Sequence, residues 1–144
     1  MRRVAAAGLL SLLLSGIFAN ACGKAQSTGD PALVKAEKGR VLATNRLDVD
    51  FAAYKITFIE LGADRCIPCK AMQPIMKEIA EIFADRVQVI FYDVWKDPKP
   101  ARKYGIQLIP TQVFIDQKGS EVFRHVGLFP KEEILGLLKK HGVL

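Results

Sequence analysis

The sequence predicts an α/β domain, with a mixed central sheet and helices on both of its faces. Three observations predict it. From Lys55 onward, segments with strand and helix patterning follow one another in the order β-α-β-α-β-β-α, a succession that sets parallel strands beside an antiparallel pair. The run from Val87 to Val94 is almost continuously apolar, as expected of a strand covered on both faces. Met72, Ile75, Met76, Ile79 and Phe83 recur at i, i+3, i+4, i+7 and i+11, which is one face of a helix.

Taken in order, Ile56 to Leu61 (ITFIEL) is rich in β-branched and aromatic residues and is followed by Gly62, so it reads as a strand. The helix carrying the apolar stripe begins near Cys66–Pro68 and runs to about Ala84, with Pro74 expected to kink it. Val87 to Val94 is the second strand. Asp97-Pro98 has the form of an N-cap followed by Pro at the first helical position, and Gly105 ends that short helix. Thr111 to Ile115 and Glu121 to Val126 are strands joined by the hairpin connection Asp116-Gln117-Lys118-Gly119. The last helix starts at Pro130 and buries Ile134, Leu137 and Leu138. Its acidic start (Glu132, Glu133) and basic end (Lys139, Lys140) both suit the helix dipole.

The chain of 144 residues has room for one domain and little else. Of its formal net charge of +6, Arg2 and Arg3 supply two, and the remainder is spread without a basic block. That distribution argues against a nucleic-acid surface, which shows clustered charge. A composition that is 50% hydrophobic and 8% aromatic excludes a disordered chain.

Ahead of the domain, residues 1–21 have the form of an export signal. Met1-Arg2-Arg3 is cationic, Val4 to Phe18 is an apolar run, and Ala19-Asn20-Ala21 is a small-x-small cleavage site. Fifteen helical residues rising about 1.5 Å each span roughly 22 Å, short of the roughly 30 Å hydrocarbon core, which disfavours a permanent membrane helix. Cys22 directly follows the small residues, an arrangement that resembles a bacterial lipoprotein box in which that Cys is acylated and becomes the mature N-terminus. Ala19 departs from the Leu usual in that pattern, and ordinary signal cleavage remains the alternative. Residues 22–50 are expected to form a tether and an N-terminal segment without clear patterning. Gly23 to Pro31 is small and polar; Ala32 to Lys38 reads as a short helix and Arg40 to Ala43 as a strand. Residues 51–144 form the working domain.

Cys66-Ile67-Pro68-Cys69 carries the chemistry. Between a strand and a helix, a C-x-x-C pair puts its first sulfur at a helix N-terminus, where unpaired N–H groups and the positive dipole end favour thiolate over thiol. A thiolate at Cys66 is a nucleophile towards a disulfide, and Cys69, one turn further in, can resolve the mixed disulfide that forms. Half of a zinc site is one alternative, but the remaining candidate ligands, His125 and His141, do not make a second pair. An inert thiol pair is the other, and an oxidising compartment disfavours it.

With these residues in view, Ile56 to Leu138 is similar to the thioredoxin superfamily. FIELGADRCIPCKAMQPIMKEIA carries the family's strand, active-site loop and proline-containing helix; KYGIQLIPTQVFID, Lys103 to Asp116, resembles its second signature; His125-Val126-Gly127 resembles the approach to its final helix. The resemblance implies a thioredoxin-like fold and a redox-active Cys66–Cys69 disulfide. It also implies a cis bond before Pro110, with Ile109, Pro110, Ile67 and Pro68 contacting an extended substrate segment. Glu60 stands where the family carries a buried acid that exchanges a proton with the second cysteine, and burial would raise its pKa into a useful range; a solvent-facing strand Glu is the alternative. Three departures stand out. Arg65 replaces a Trp, Ile67-Pro68 replaces Gly-Pro, and Phe91 replaces a lysine near the buried acid. Trp95 is read as a packing residue, with a partner contact as the alternative, Met72 and Met76 as core, and His125 as an ordinary strand residue rather than a catalytic base.

The implied activity is that of an exported, lipid-anchored, monomeric thiol–disulfide oxidoreductase on the periplasmic side of a bacterial membrane. It would reduce protein disulfides with electrons from a membrane thiol donor and need no metal or organic cofactor. A disulfide oxidase or isomerase, and a non-enzymatic binding module or metallochaperone, are the competing readings.

Overall fold

The two most apolar segments pair at the centre of the sheet. The structure, a computed structural model, describes residues 32–144; the export signal, Cys22 and the stretch from Gly23 to Pro31 lie outside the described residues. Strands β1 (Val41–Ala43), β2 (Ile56–Gly62), β3 (Val87–Asp93), β4 (Thr111–Asp116) and β5 (Glu121–Val126) form one sheet in the order β1-β3-β2-β4-β5. β3 runs parallel to β1 and β2, while β4 is antiparallel to both β2 and β5. Helices α1 (Ile67–Ile82), α2 (Lys99–Lys103) and α3 (Lys131–Lys140) supply the connections and the C-terminus.

Alternation along the strands divides the core in two. Ile56 and Phe58 on β2, Val89 and Phe91 on β3 and Phe114 on β4 share one face with Met72, Met76 and Ile79 of α1 and Ile134 and Leu138 of α3. Ile59, Leu61, Ile90, Tyr92 and Val113 point the other way, towards Ala101 and Tyr104 at α2 and Val49 of the N-terminal segment. Phe58 stacks on Phe114 across the β2–β4 pairing, with ring centroids 4.7 Å apart, a contact worth about 0.5–1.5 kcal/mol beyond its buried area.

Three local expectations are corrected. Ala32 to Lys38 is not helical: Val34 bridges Val49 in parallel, and Lys38 enters a turn. Distant side chains take the backbone groups of Ala36, since the Ala36 N–H donates to Gln88 Oε1 at 3.2 Å and the Tyr54 hydroxyl donates to the Ala36 carbonyl at 3.0 Å. The short helix starts one residue later than predicted. Pro98 is its cap, and the Lys99 N–H donates to Asp97 Oδ1 at 2.9 Å. Trp95 does not pack; it is 63% exposed on the loop after β3. Pro74 lies inside α1 on its exposed side, where the carbonyl left without an N–H partner, that of Lys70, can face solvent.

Candidate functional site

The C-terminal end of β2 delivers the chain to the N-terminus of α1. Cys66 is the N-cap of α1, with extended backbone angles, and its sulfur accepts from the Cys69 N–H at 3.3 Å. Pro68 in the first turn has no N–H to leave unsatisfied. Cys66 and Cys69 are joined by a disulfide, with Cα atoms 5.2 Å apart. The two sulfurs differ in access, since Cys66 is 8% exposed and Cys69 is wholly buried. An external sulfur therefore meets Cys66 first.

Pro110 brings the second segment to the same place. The Ile109–Pro110 peptide bond is cis, and Ile109 packs against the cluster of Ala63, Cys66 and Cys69. Two hydrogen bonds brace this turn. The Thr111 hydroxyl donates to the Leu108 carbonyl at 2.7 Å, and the Gly127 N–H donates to the Pro110 carbonyl at 2.8 Å. Gly127 does so with φ of 99°, in the region that favours glycine. Ile67 beside the disulfide and Leu108 before the cis bond are both well exposed, giving the site an apolar rim. His125 sits on β5 opposite Gln112 of β4, with its ring stacked on Phe129 at 4.3 Å and its Nε2 3.2 Å from the Leu128 carbonyl.

Glu60 is fully buried rather than solvent-facing. It lies on the β2 face that carries Gly62, whose missing side chain leaves room for Cys69. Phe91 is its neighbour on β3 and Gln112 its neighbour on β4. Desolvation pushes its carboxyl up to about 8, against the opposing effect of the hydrogen bond from Gln112. An acid that titrates near neutrality can take and return a proton at ordinary pH.

Gln112 is the site residue that sequence reasoning missed. Its Nε2 donates to Glu60 Oε2 at 2.9 Å and to the Gly127 carbonyl at 3.0 Å. A long polar side chain in the otherwise apolar run after Pro110 was the available signal. Its meaning depends on the register with β2, which local pattern does not contain. Among the described residues, no three His, Cys, Asp or Glu side chains gather as a metal site.

The comparisons agree with this geometry. The family model described as Thioredoxin matches residues 38–140. A thioredoxin from Chlamydia trachomatis serovar D is 33% identical over 92 residues, covering 64% of this chain and 88% of the relative. Thioredoxin 1 of Synechococcus elongatus is 35% identical over 83 residues, covering 58% of this chain and 77% of the relative. The crystal structure of a thioredoxin from Nicotiana alata superposes with a TM-score of 0.63 at 28% identity, over 75% of this chain and 97% of that one.

Proposed function

Because the chain belongs to the thioredoxin family, we propose that it is an exported oxidoreductase that reduces protein disulfides by cycling Cys66 and Cys69 between dithiol and disulfide. The observation that carries this reading is the asymmetry of the pair: Cys66 caps a helix and keeps a small exposure to solvent, whereas Cys69 is wholly buried.

In the forward cycle the Cys66 thiolate attacks a substrate disulfide. A bond forms between Cys66 Sγ and one substrate sulfur, and the other substrate sulfur leaves as a thiolate that takes up a proton. Cys69 then loses its proton to Glu60 and attacks Cys66 Sγ, closing the internal disulfide and releasing the second substrate sulfur. Two electrons pass from the dithiol to the substrate. Ile109 and Pro110 hold the substrate backbone, with Ile67 and Pro68 at its edge. A membrane thiol donor returns the two electrons. Pro68 supports the reducing direction, because strongly oxidising relatives carry His at that position.

The pattern of Met1 to Cys22 supports a lipid anchor on Cys22, which would hold the domain at the periplasmic side of a bacterial membrane.

Expression of Cys69→Ser in the native compartment tests the cycle. Cys66 should remain joined to its substrates in mixed disulfides, because no neighbouring thiol can displace them, while Cys66→Ser should trap far less. Equal trapping by both variants would refute the roles. The reduction potential tests the direction: a value near about −270 mV fits a reductase, and one near about −120 mV would make the protein an oxidant.

A further inference from the structure

Gln112 and Glu60 face each other across the antiparallel β2–β4 pairing, and both are fully buried. The Gly127 carbonyl can only accept a hydrogen bond. The Gln112 atom 3.0 Å from it is therefore the amide nitrogen, and the side-chain amide cannot turn over without setting oxygen against oxygen. The same nitrogen is 2.9 Å from Glu60 Oε2, so that oxygen is held as an acceptor. Glu60 Oε1 is buried with no hydrogen-bond partner among the described residues.

We propose that Gln112 is a positioning residue that fixes Glu60 Oε2 as a permanent acceptor and so assigns the exchangeable proton to Oε1. The proposal deepens the dithiol–disulfide reading and rests on it. In the resolving step the Cys69 S–H bond breaks and an Oε1–H bond forms. No electron moves until Cys69 Sγ then displaces the substrate sulfur from Cys66. When the proton is returned, Oε1 gives it up and Gln112 keeps its bond to Oε2 throughout. The lysine that the family carries near the buried acid is Phe91 here, so the polar partner of the acid comes from β4 instead of β3.

On the same face of the sheet as Glu60 stand Phe91, its register partner on β3, and Phe114 of β4, which belong to the core cluster that also holds Met72 and Phe129. The titratable side chains on this face include Cys69, which is silent while disulfide-bonded, His125, which pairs with Gln112 on β5 and stacks on Phe129, and Asp93, which pairs with Gly62 at the end of β3. Gln112 also links the acid to the turn that binds the Pro110 carbonyl through Gly127, so one side chain spans the proton relay and the substrate-positioning loop.

The test uses the full chain with Gln112→Met, which keeps the volume, and Gln112→Glu, which keeps the shape but cannot donate twice. The Glu60 carboxyl is titrated in the oxidised protein by carbon-13 NMR, and the resolving step is followed against pH in single turnovers. Losing a hydrogen bond to the charged form should raise the Glu60 midpoint by roughly one to two pH units and shift the rate profile with it. In a Glu60→Gln background, Gln112→Met should leave the rate profile where Glu60→Gln puts it. A Glu60 midpoint that neither variant moves would overturn the proposal, as would a Glu60→Gln rate profile identical to wild type. If Cys69→Ser traps nothing, the redox cycle itself fails. The carboxyl titration needs no substrate and still decides whether Gln112 holds Glu60.

Discussion

A methyl group on Gly62 would lie 3.2 Å from both Cβ and Sγ of Cys69, and equally close to the Phe91 ring. The last residue of β2 is thus a glycine because the Cys69 sulfur and an aromatic ring occupy the space that a side chain would take. Contacts this short require a neighbour to give way, and here both neighbours, Cys69 and Phe91, are buried. Gly62→Ala is therefore expected to cost about 1–3 kcal/mol as an overpacking change, read by urea unfolding of the oxidised protein. A loss below about 0.5 kcal/mol would mean that Cys69 and Phe91 are not held where this packing requires.

Glu60 links folding to pH. Its folded-state carboxyl titrates near 8 against an ordinary value of 4.5, so between those values the native state binds a proton that the unfolded chain has released. Stability should fall as pH rises through that window, by at most about 1.4 kcal/mol per pH unit from this group, and flatten above it. Glu60→Gln removes the titrating group, and the difference in unfolding free energy between variant and wild type should grow from pH 5 to pH 8. A difference independent of pH would show that the carboxyl is already ionised in the folded protein.

The apolar rim predicts a separation of binding from chemistry. Ile67 is 82% exposed and Leu108 66%, so Ile67→Asp and Leu108→Asp should change stability by no more than about 0.5 kcal/mol. Each removes apolar contact with a docked segment, worth about 1 kcal/mol, and should raise KM for a protein disulfide several-fold with little change in kcat. Steady-state kinetics on a protein substrate and on a small disulfide would separate the effects. Equal losses on both substrates would argue against a docking role for the rim.

Membrane attachment is tested at the other end of the chain. An acylated Cys22 would hold the protein on membranes, since each buried CH₂ contributes about 0.8 kcal/mol, and Cys22→Ser should move it to the soluble fraction. Mass spectrometry of the mature N-terminus checks the chemistry directly. An unmodified Cys22 thiol would end the lipid-anchor proposal and leave the redox cycle untouched.

The amino-acid sequence by itself determined the features set by neighbours within a few residues. The apolar stripe of α1, the strand character of Ile56–Gly62 and Val87–Asp93, and the cysteine pair at a strand–helix junction are all local periodicities or caps, and each lies where the pattern puts it. The tertiary structure decided whatever depends on register between distant strands. Ala32 to Lys38 is not helical, and Gln88 and Tyr54 take the backbone groups of Ala36. Trp95 reaches solvent because the loop after β3 carries it outside the core. Glu60 is an acid held near neutrality because β2 is the middle strand of the sheet and α1 covers the face it points to. Gln112, 52 residues away in sequence, became its partner through the antiparallel pairing of β4 with β2. Periodicity tells which residues are buried together on one element, but the hydrogen bond that a buried polar group must find comes from whichever strand the fold sets beside it.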